Sequence, residues 1–151
     1  MFIVIIILLF TFYCLLIIYF WLAWRAIPDY IPSLSLPQVK ISIIIPARNE
    51  EDNIGNLLQA LKKQTYPSSL FEIIVVDDHS TDATAVIIQK FAGVKLIQLK
   101  DDNLNSYKKK AIETGIAAAK GSLIVCTDAD CVAETEWLQT MVAFYERNDA
   151  I

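Results

Sequence analysis

The chain has 151 residues, of which 55% are hydrophobic, and it carries a net charge of −4 at pH 7. That length favours one domain with a small core, and the acidic balance argues against nucleic-acid binding, which would need a basic surface. The hydrophobic excess lies at one end, since residues 1–24 contain no charged side chain. By contrast, residues 39–151 have the composition of an ordinary globular domain.

Residues 1–24 are predicted to form a transmembrane helix, because an apolar run of this length spans the hydrocarbon core of a bilayer. A signal peptide is the competing interpretation, but it would need a basic amino end and a shorter apolar core. Arg25 follows the run directly, so the positive-inside rule predicts a single pass through the cell's inner membrane with the following domain in the cytoplasm. Candidates for the interfacial aromatic belt are Tyr13, Tyr19, Trp21 and Trp24.

A proline-rich segment separates the apolar run from the globular part. Pro28, Pro32 and Pro37 lie within residues 25–38, and prolines at this density oppose a helix and favour an extended linker. The domain is therefore expected to begin near Val39.

The three cysteines are predicted to be structural rather than metal ligands. A zinc site would need further Cys or His residues at ligand spacing, and His79 is the single histidine. Cys14, Cys126 and Cys131 are therefore expected to be small buried hydrophobes in a reducing compartment.

The globular part alternates predicted strands with predicted helices. Apolar runs rich in β-branched residues predict strands at residues 40–46, 71–76 and 94–99 and a buried fourth strand from Leu123. Helical periodicity and capping residues predict one helix from Asn49 as N-cap to before Tyr66, one at residues 83–91, one at residues 108–120 that Gly121 ends, and one around Leu138. The third helix is expected to face inward with Ile112, Gly115, Ile116 and Ala119. This alternation implies an α/β fold, an open and mostly parallel sheet with helices on both faces.

Charged side chains follow three of the predicted strands at the point where each strand ends. Arg48 follows the first strand, Asp77 and Asp78 end the second, and Asp128 and Asp130 end the fourth. The carboxyl ends of parallel strands meet at one edge, where open α/β sheets bind their ligands. Asp128 and Asp130 can both reach Mg²⁺ or Mn²⁺, which prefer oxygen ligands, and two carboxylates leave positions open for phosphate oxygens.

Four short motifs follow one another in register with these elements. They are residues 45–51 (Ile-Pro-Ala-Arg-Asn-Glu-Glu), residues 75–82 (Val-Val-Asp-Asp-His-Ser-Thr-Asp), residues 108–119 before Gly121, and residues 127–130 (Thr-Asp-Ala-Asp). Together they resemble the motifs of the family 2 glycosyltransferases, which have the Rossmann-like GT-A fold. One Asp-x-Asp motif is frequent by chance, but four motifs in register cover nearly everything from Lys40 onward.

The resemblance implies roles for residues on the nucleoside side of the site. The loop that would line the pocket for base and ribose contains Pro46, Ala47, Arg48 and Glu50. Arg48 would lie against the uracil face. Asp78 would accept a hydrogen bond from uracil N3, with its neighbour Asp77 as the alternative.

The resemblance also implies roles on the diphosphate side. Lys108 or Lys109 would approach the diphosphate, and Asp130 would coordinate the metal, Mg²⁺ or Mn²⁺. Asp128 would contact the ribose or the metal. The cation would neutralise charge on the departing diphosphate as a Lewis acid, and a nearby arginine or lysine would add to that stabilisation.

The implied activity is metal-dependent transfer of a sugar, with inversion, from a nucleotide-diphosphate sugar, here a UDP-sugar, to a glycan or lipid acceptor. In the family, the catalytic base and the acceptor site belong to a second half, which does not follow Asp130 in this sequence. The resemblance therefore implies that residues 39–151 are a donor-binding half, and that this chain by itself is inactive.

Two other classes of function stay open at this point. A non-catalytic, membrane-anchored nucleotide-binding module would use the same pocket and would bind UDP without transferring sugar. A receiver-like phosphoacceptor domain also clusters acids at strand ends, but it would need a lysine after a later strand. That class does not predict the Pro-x-Arg-Asn-Glu loop at residues 46–50.

Overall fold

The computed structural model describes residues 2–28, 38–100 and 107–148, and for residues 107 and 148 the backbone alone. The chain divides into two compact units, Met1–Ile31 and Pro32–Ile151. Most of the predicted linker, residues 25–38, lies outside the described residues, as does the end of the chain from residue 149.

The described part of the first unit is dominated by one helix, α1 (Phe2–Arg25). None of its residues is buried, and its large apolar side chains are exposed along its whole length. At about 1.5 Å per residue the helix reaches roughly 36 Å, more than the ~30 Å hydrocarbon core of a bilayer. Among the helices that the structure describes, α1 alone is long and apolar enough to cross a membrane, judged by length and composition.

In the residues that the structure describes, the second unit is built on four parallel strands. They are β1 (Ile41–Ala47), β2 (Phe71–Asp77), β3 (Val94–Gln98) and β4 (Leu123–Cys126). The strand order is β3-β2-β1-β4, so the chain moves outward from β1 to β3 and then crosses back to the other side of β1. This reversal makes the space between the ends of β1 and β4 the expected ligand crevice of an open α/β sheet.

Helices cover both faces of this sheet, as predicted. They are α2 (Ile54–Lys62), α3 (Thr84–Gln89), α4 (Tyr107–Ala118) and α5 (Trp137–Asn148), with a short 3₁₀ turn at Ser68–Leu70. On one face, the core includes Ile43, Ile45, Ile54, Leu58, Leu61, Ile88, Leu138 and Val142. On the other face, α4 packs Ala111 against Ile44, Ile74 and Val76. The alternation of short apolar strands and amphipathic helices thus produces the predicted α/β architecture.

The inward face of α4 differs in part from the prediction. Gly115 is buried as expected, and it lets the helix approach β1 so closely that a β-carbon there would collide with the side chain of Ile44. Ile116 was expected inside but is 44% exposed, and Ala111 is fully buried instead. Both differences follow from the close approach at Gly115, since helix residues four apart share a face and small residues are needed where helix and sheet are nearest.

The start of α2 also differs from the prediction. The helix begins at Ile54 after Asn53, and Asn49 is not its N-cap. Asn49 has φ 54°, in the left-handed region, where asparagine is among the few side chains tolerated. A local turn over residues 50–53 therefore separates the loop after β1 from the helix.

The fourth strand is less buried than predicted. In the part of the chain that the structure describes, β4 pairs with β1 alone, over four positions from Leu123 to Cys126. Val125 is buried, whereas Ile124 is 38% exposed. The sequence run is apolar enough for a central strand, but the observed strand order places it at an edge.

Candidate active site

The carboxyl ends of β1, β2 and β4 surround one cavity of about 410 Å³. Of the ten predicted site residues, those that line it are Pro46, Ala47, Arg48, Glu50, Asp78, Lys108, Asp128 and Asp130. The two that do not line it are Asp77 and Lys109. The cavity walls thus come from sequence segments up to 84 positions apart (Pro46 to Asp130) that the parallel sheet brings to one edge.

The loops after β1 and β2 are joined by a ladder of hydrogen bonds. The Asn49 amide nitrogen donates to Ser80 Oγ at 3.0 Å, and Asn49 Oδ1 accepts from the Thr81 amide at 2.8 Å. Further along, the Glu50 amide donates to Thr84 Oγ1 at 2.8 Å. These bonds hold the loop that carries Arg48 against the loop that begins at Asp78.

Asp78 is the most buried charged side chain of the cavity. Its side chain is 6% exposed, and Oδ2 lies 3.7 Å from Arg48 Nη1. Its Oδ1 lies 2.8 Å from His79 Nδ1. The Asp78 amide donates to the Ala47 carbonyl at 2.8 Å, which fixes the residue at the seam between the two loops. A carboxylate held this firmly can act as an oriented hydrogen-bond acceptor.

Asp77 has a structural position instead. It is 2% exposed, and its carboxylate accepts from the Ser80 amide at 3.1 Å and from Gln98 Nε2 at 3.2 Å. These partners lie in the loop and in β3, away from the cavity. Alternation along the strand separates the two acids, since neighbouring residues of an extended segment point to opposite sides.

On the opposite wall, Lys108 pairs with Asp128. Lys108 Nζ lies 2.7 Å from Asp128 Oδ1, and both side chains are largely exposed. The hydrogen bond and charge of Asp128 raise the pKa of Lys108, with a further contribution from Asp130. Lys109 points elsewhere, 76% exposed, with its nearest carboxylate on Glu113 at 3.9 Å. Of the two lysines predicted to approach a diphosphate, the structure brings only Lys108 into the cavity.

Asp128 and Asp130 supply a donor set that suits a hard divalent cation. They project from the segment directly after β4, and both line the cavity. Within the described residues, no three His, Cys, Asp or Glu side chains come close enough to hold a metal alone. Two carboxylates beside an open cavity fit a cation such as Mg²⁺ or Mn²⁺ that completes its coordination with water and phosphate oxygens.

The cysteines near this pair are not buried, in contrast to the prediction. Cys126 and Cys131 are both exposed and free. They line a second cavity of about 280 Å³, which shares Pro46 and Asp128 with the first. Partial desolvation raises the pKa of the Cys126 thiol, although much of the residue is exposed. The thiols therefore form part of the surface beside the acidic motif.

Sequence reasoning missed two kinds of residue in this site. Ala111 and Ala129 line the cavity, and their small side chains leave room for a ligand, a property that periodicity does not reveal. Asn49 was predicted to cap a helix, although asparagine is also one of the few residues that tolerate the left-handed conformation observed there.

A parallel sheet with basic and acidic side chains converging at its switch point is the arrangement of a Rossmann-like α/β domain with a ligand crevice at that point. Residues 42–151 match the sequence profile of Glycosyl transferase family 2, and the chain belongs to that family. The resemblance seen in the four motifs is thereby confirmed.

Several curated proteins are similar in sequence. The chain is 36% identical over 106 residues to glycosyltransferase AglE of Haloferax volcanii, covering 68% of this chain and 34% of that protein. It is 34% identical over 115 residues to dodecaprenyl-phosphate galacturonate synthase of Rhizobium johnstonii, covering 74% of this chain and 34% of that protein. The chain thus spans about a third of the length of these relatives.

Solved structures are similar in fold. Residues 1–349 of Staphylococcus aureus TarS, crystallised in complex with UDP-GlcNAc, align with TM-score 0.62 and 32% identity, over 73% of this chain and 32% of that one. The mannosyltransferase PcManGT of Pyrobaculum calidifontis, in complex with GDP-Man and Mn²⁺, aligns with TM-score 0.70 and 28% identity, over 85% of this chain and 39% of that one. These likenesses confirm the GT-A fold.

Proposed function

We propose that this chain binds the nucleotide-diphosphate sugar in a glycosyl transfer reaction, with UDP as the nucleotide and a glycan or lipid as the acceptor. The observation that carries the proposal is the cavity between β1 and β4. It brings together the buried carboxylate of Asp78, the cationic side chains of Arg48 and Lys108, and the exposed carboxylates of Asp128 and Asp130. Family membership supports the reaction class. The TarS complex with UDP-GlcNAc supports UDP as the nucleotide.

The nucleoside would bind on the side of the cavity nearest β2. Asp78 is buried and oriented by Arg48 and His79, so its carboxylate can accept the N3 hydrogen of uracil. The guanidinium of Arg48, which is 54% exposed, can stack on the base through its planar face. A base bound there directs the diphosphate across the cavity toward β4.

The diphosphate would bind on the side that carries Lys108, Asp128 and Asp130. Lys108 offers a flexible positive charge to phosphate oxygens. Asp130 and Asp128 would hold Mg²⁺ or Mn²⁺, which when bound neutralises the charge that develops on the diphosphate leaving group. In this arrangement, the chain's own acids fix where the leaving group sits, and Lys108 stabilises it electrostatically.

The decisive experiment is calorimetry of UDP binding to the full chain in detergent micelles, with and without Mn²⁺. We expect binding that requires the cation. Asp130→Ala should abolish the cation requirement and leave weak, metal-independent binding, and Glu136→Ala, an exposed acid outside the cavity, is the matched control. Asp78→Ala should weaken uridine binding in the presence or absence of metal. Equal loss of uridine and UDP affinity in Asp130→Ala would contradict the assigned roles.

We also propose that α1 anchors the protein in the inner membrane with the second unit in the cytoplasm. The support is an uninterrupted apolar helix of 24 residues with Arg25 in its last turn, the guanidinium 4.9 Å from the ring of Trp21. Membrane fractionation tests the anchor, since the chain should stay in the pellet at high salt and enter solution only with detergent. Protease digestion of inverted vesicles tests the orientation, and protection of the second unit would contradict it.

A further inference from the structure

The ion pair between Lys108 and Asp128 conflicts with the two roles proposed for its members. Lys108 Nζ lies 2.7 Å from Asp128 Oδ1, so this oxygen already has a positive partner. A divalent cation on the same oxygen would face the ammonium at a distance at which like charges repel. Lys108 and the cation therefore compete for Asp128.

We propose that Lys108 is a built-in counter-ion that occupies Asp128 until a diphosphate arrives and then moves to the phosphate oxygens. The move releases Asp128 to the cation, so cation and diphosphate bind with positive coupling beyond their direct contact. This inference rests on the proposed function, because it assigns a sequence of partners to residues of the same donor site.

Because the pair is exposed, breaking it costs little free energy. The two side chains are 63% and 55% exposed, and exposed ion pairs are weak because solvent screens them. The lysine stem is flexible and its ammonium is a compact charge, which suits a change of partner over a few ångströms. A diphosphate carries more negative charge than a single carboxylate, so it offers Lys108 the stronger electrostatic partner.

The pair on the opposite wall has the contrary properties. Asp78 is 6% exposed, lies 3.7 Å from Arg48, and is also held by His79 at 2.8 Å. Burial and these two partners together fix the carboxylate in place. The cavity thus combines one fixed carboxylate for the base with one exchangeable carboxylate for the cation.

The competition sets the size of the expected effect. Removing an exposed ion-pair partner that blocks one ligand oxygen should tighten cation binding by about two- to fivefold, the range that corresponds to a surface pair. Removing the same charge from the phosphate site should weaken nucleotide diphosphate binding by about tenfold, as expected for one lost charge-assisted contact. The two affinities therefore move in opposite directions in one variant.

The test measures binding of Mn²⁺ alone, by electron paramagnetic resonance of the free ion, and of UDP with Mn²⁺, by calorimetry, on the full chain in micelles. The variant is Lys108→Met, which removes the charge and keeps most of the length of the side chain. Lys109→Met is the matched control, since it removes the same charge one residue away, outside the cavity. We expect tighter Mn²⁺ and weaker UDP in Lys108→Met, and neither change in Lys109→Met. Lys108→Gln and thermal unfolding of each variant separate these effects from loss of the fold.

Three results would overturn the inference while leaving the proposed function intact. Unchanged Mn²⁺ affinity in Lys108→Met with weakened UDP would mean that Lys108 serves phosphate without restraining the cation. Unchanged UDP affinity would mean that the lysine does not move to the diphosphate. An equal rise in Mn²⁺ affinity in Lys108→Met and Lys109→Met would mean that the effect comes from the change in net charge and not from the pair with Asp128. If the unsubstituted chain does not bind UDP with Mn²⁺, the proposed function fails, and the exchange with it, while the Mn²⁺ measurement still shows whether Lys108 restrains the cation.

Discussion

The loop ladder around Asn49 makes a sharp prediction about donor affinity. Asn49 Oδ1 accepts from the Thr81 amide at 2.8 Å and lies 3.3 Å from Thr81 Oγ1. Asn49→Ala removes both contacts, of which the first contributes about 1 kcal/mol and the second less, because water can replace partners on this exposed surface. The left-handed backbone, φ 54°, adds about 1 kcal/mol of strain for alanine. The loops should therefore loosen by about 2 kcal/mol.

Loosened loops should weaken the nucleoside side of the site in particular. Arg48 precedes Asn49, and Asp78 begins the partner loop. Binding of UDP would therefore have to order both loops again, which lowers its net binding free energy. We expect most of the loop stabilisation, about 2 kcal/mol, to be lost from the binding free energy of UDP. Since about 1.4 kcal/mol corresponds to a factor of ten, the Kd for UDP should rise roughly tenfold. Mn²⁺ alone should bind as before, because Asp128 and Asp130 lie after β4 and outside this ladder.

Two further variants separate the hydrogen bond from the backbone strain. Asn49→Asp keeps an acceptor and tolerates the left-handed conformation, so it should bind UDP nearly as well as the unsubstituted chain. Asn49→Gly removes the acceptor but adopts the left-handed conformation readily, so its affinity for UDP should fall between those of Asn49→Asp and Asn49→Ala. Calorimetry with UDP and Mn²⁺ measures all three. Equal affinity in Asn49→Ala and the unsubstituted chain, or a parallel loss of Mn²⁺ affinity, would refute the reasoning.

Other predictions concern stability and thiol chemistry. Gly115→Val should destabilise the fold by about 2 kcal/mol, since its side chain would overpack against Ile44, and urea unfolding measures the loss. Cys131 should be alkylated by iodoacetamide faster than Cys126 at pH 7.5, because desolvation raises the pKa of the Cys126 thiol, and the difference in rate should narrow as pH rises. Peptide mass spectrometry measures both alkylation rates, and UDP with Mn²⁺ should slow both. Burial opposes ionisation of Glu72, but its hydrogen bonds outweigh that effect and lower its pKa. Its stabilising contribution is therefore present above the unfolded-state pKa and lost as pH falls through the lower folded-state pKa, and Glu72→Gln should flatten the stability curve in that acidic range.

The sequence predicted the architecture because its strands and helices differ clearly in period. It also predicted which strand ends meet, since parallel strands leave little choice of edge. It could not separate Asp77 from Asp78, because which of two adjacent acids turns into the cavity depends on where β2 ends. Lys108 and Lys109 posed the same problem on a helix, where a step of 100° decides between cavity and solvent.

Other differences arose from tertiary contacts that have no local signature. Ile116 carries the apolar character of a core residue, yet the close approach of α4 at Gly115 turns it outward. Asn49 fits an N-cap by composition, but its bonds go to a loop 31 and 32 residues away. Long-range partners of this kind are set by the docking of two loops, which a reading of neighbouring residues does not contain.

The position of β4 has a consequence for the lifetime of the folded state. This strand is the last of the described strands in chain order, and it is attached along one side by four residue pairs to the first. A bound nucleotide would join Arg48 and Asp78 on one side of that seam to Asp128 and Asp130 on the other. Such a ligand binds only when β4 is docked, so it suppresses detachment by a factor of about 1 + [L]/Kd. At a nucleotide concentration of about a hundred times Kd, amide hydrogens of β4 should then exchange about a hundredfold more slowly. The local stability of this strand would therefore depend on the concentration of sugar nucleotide.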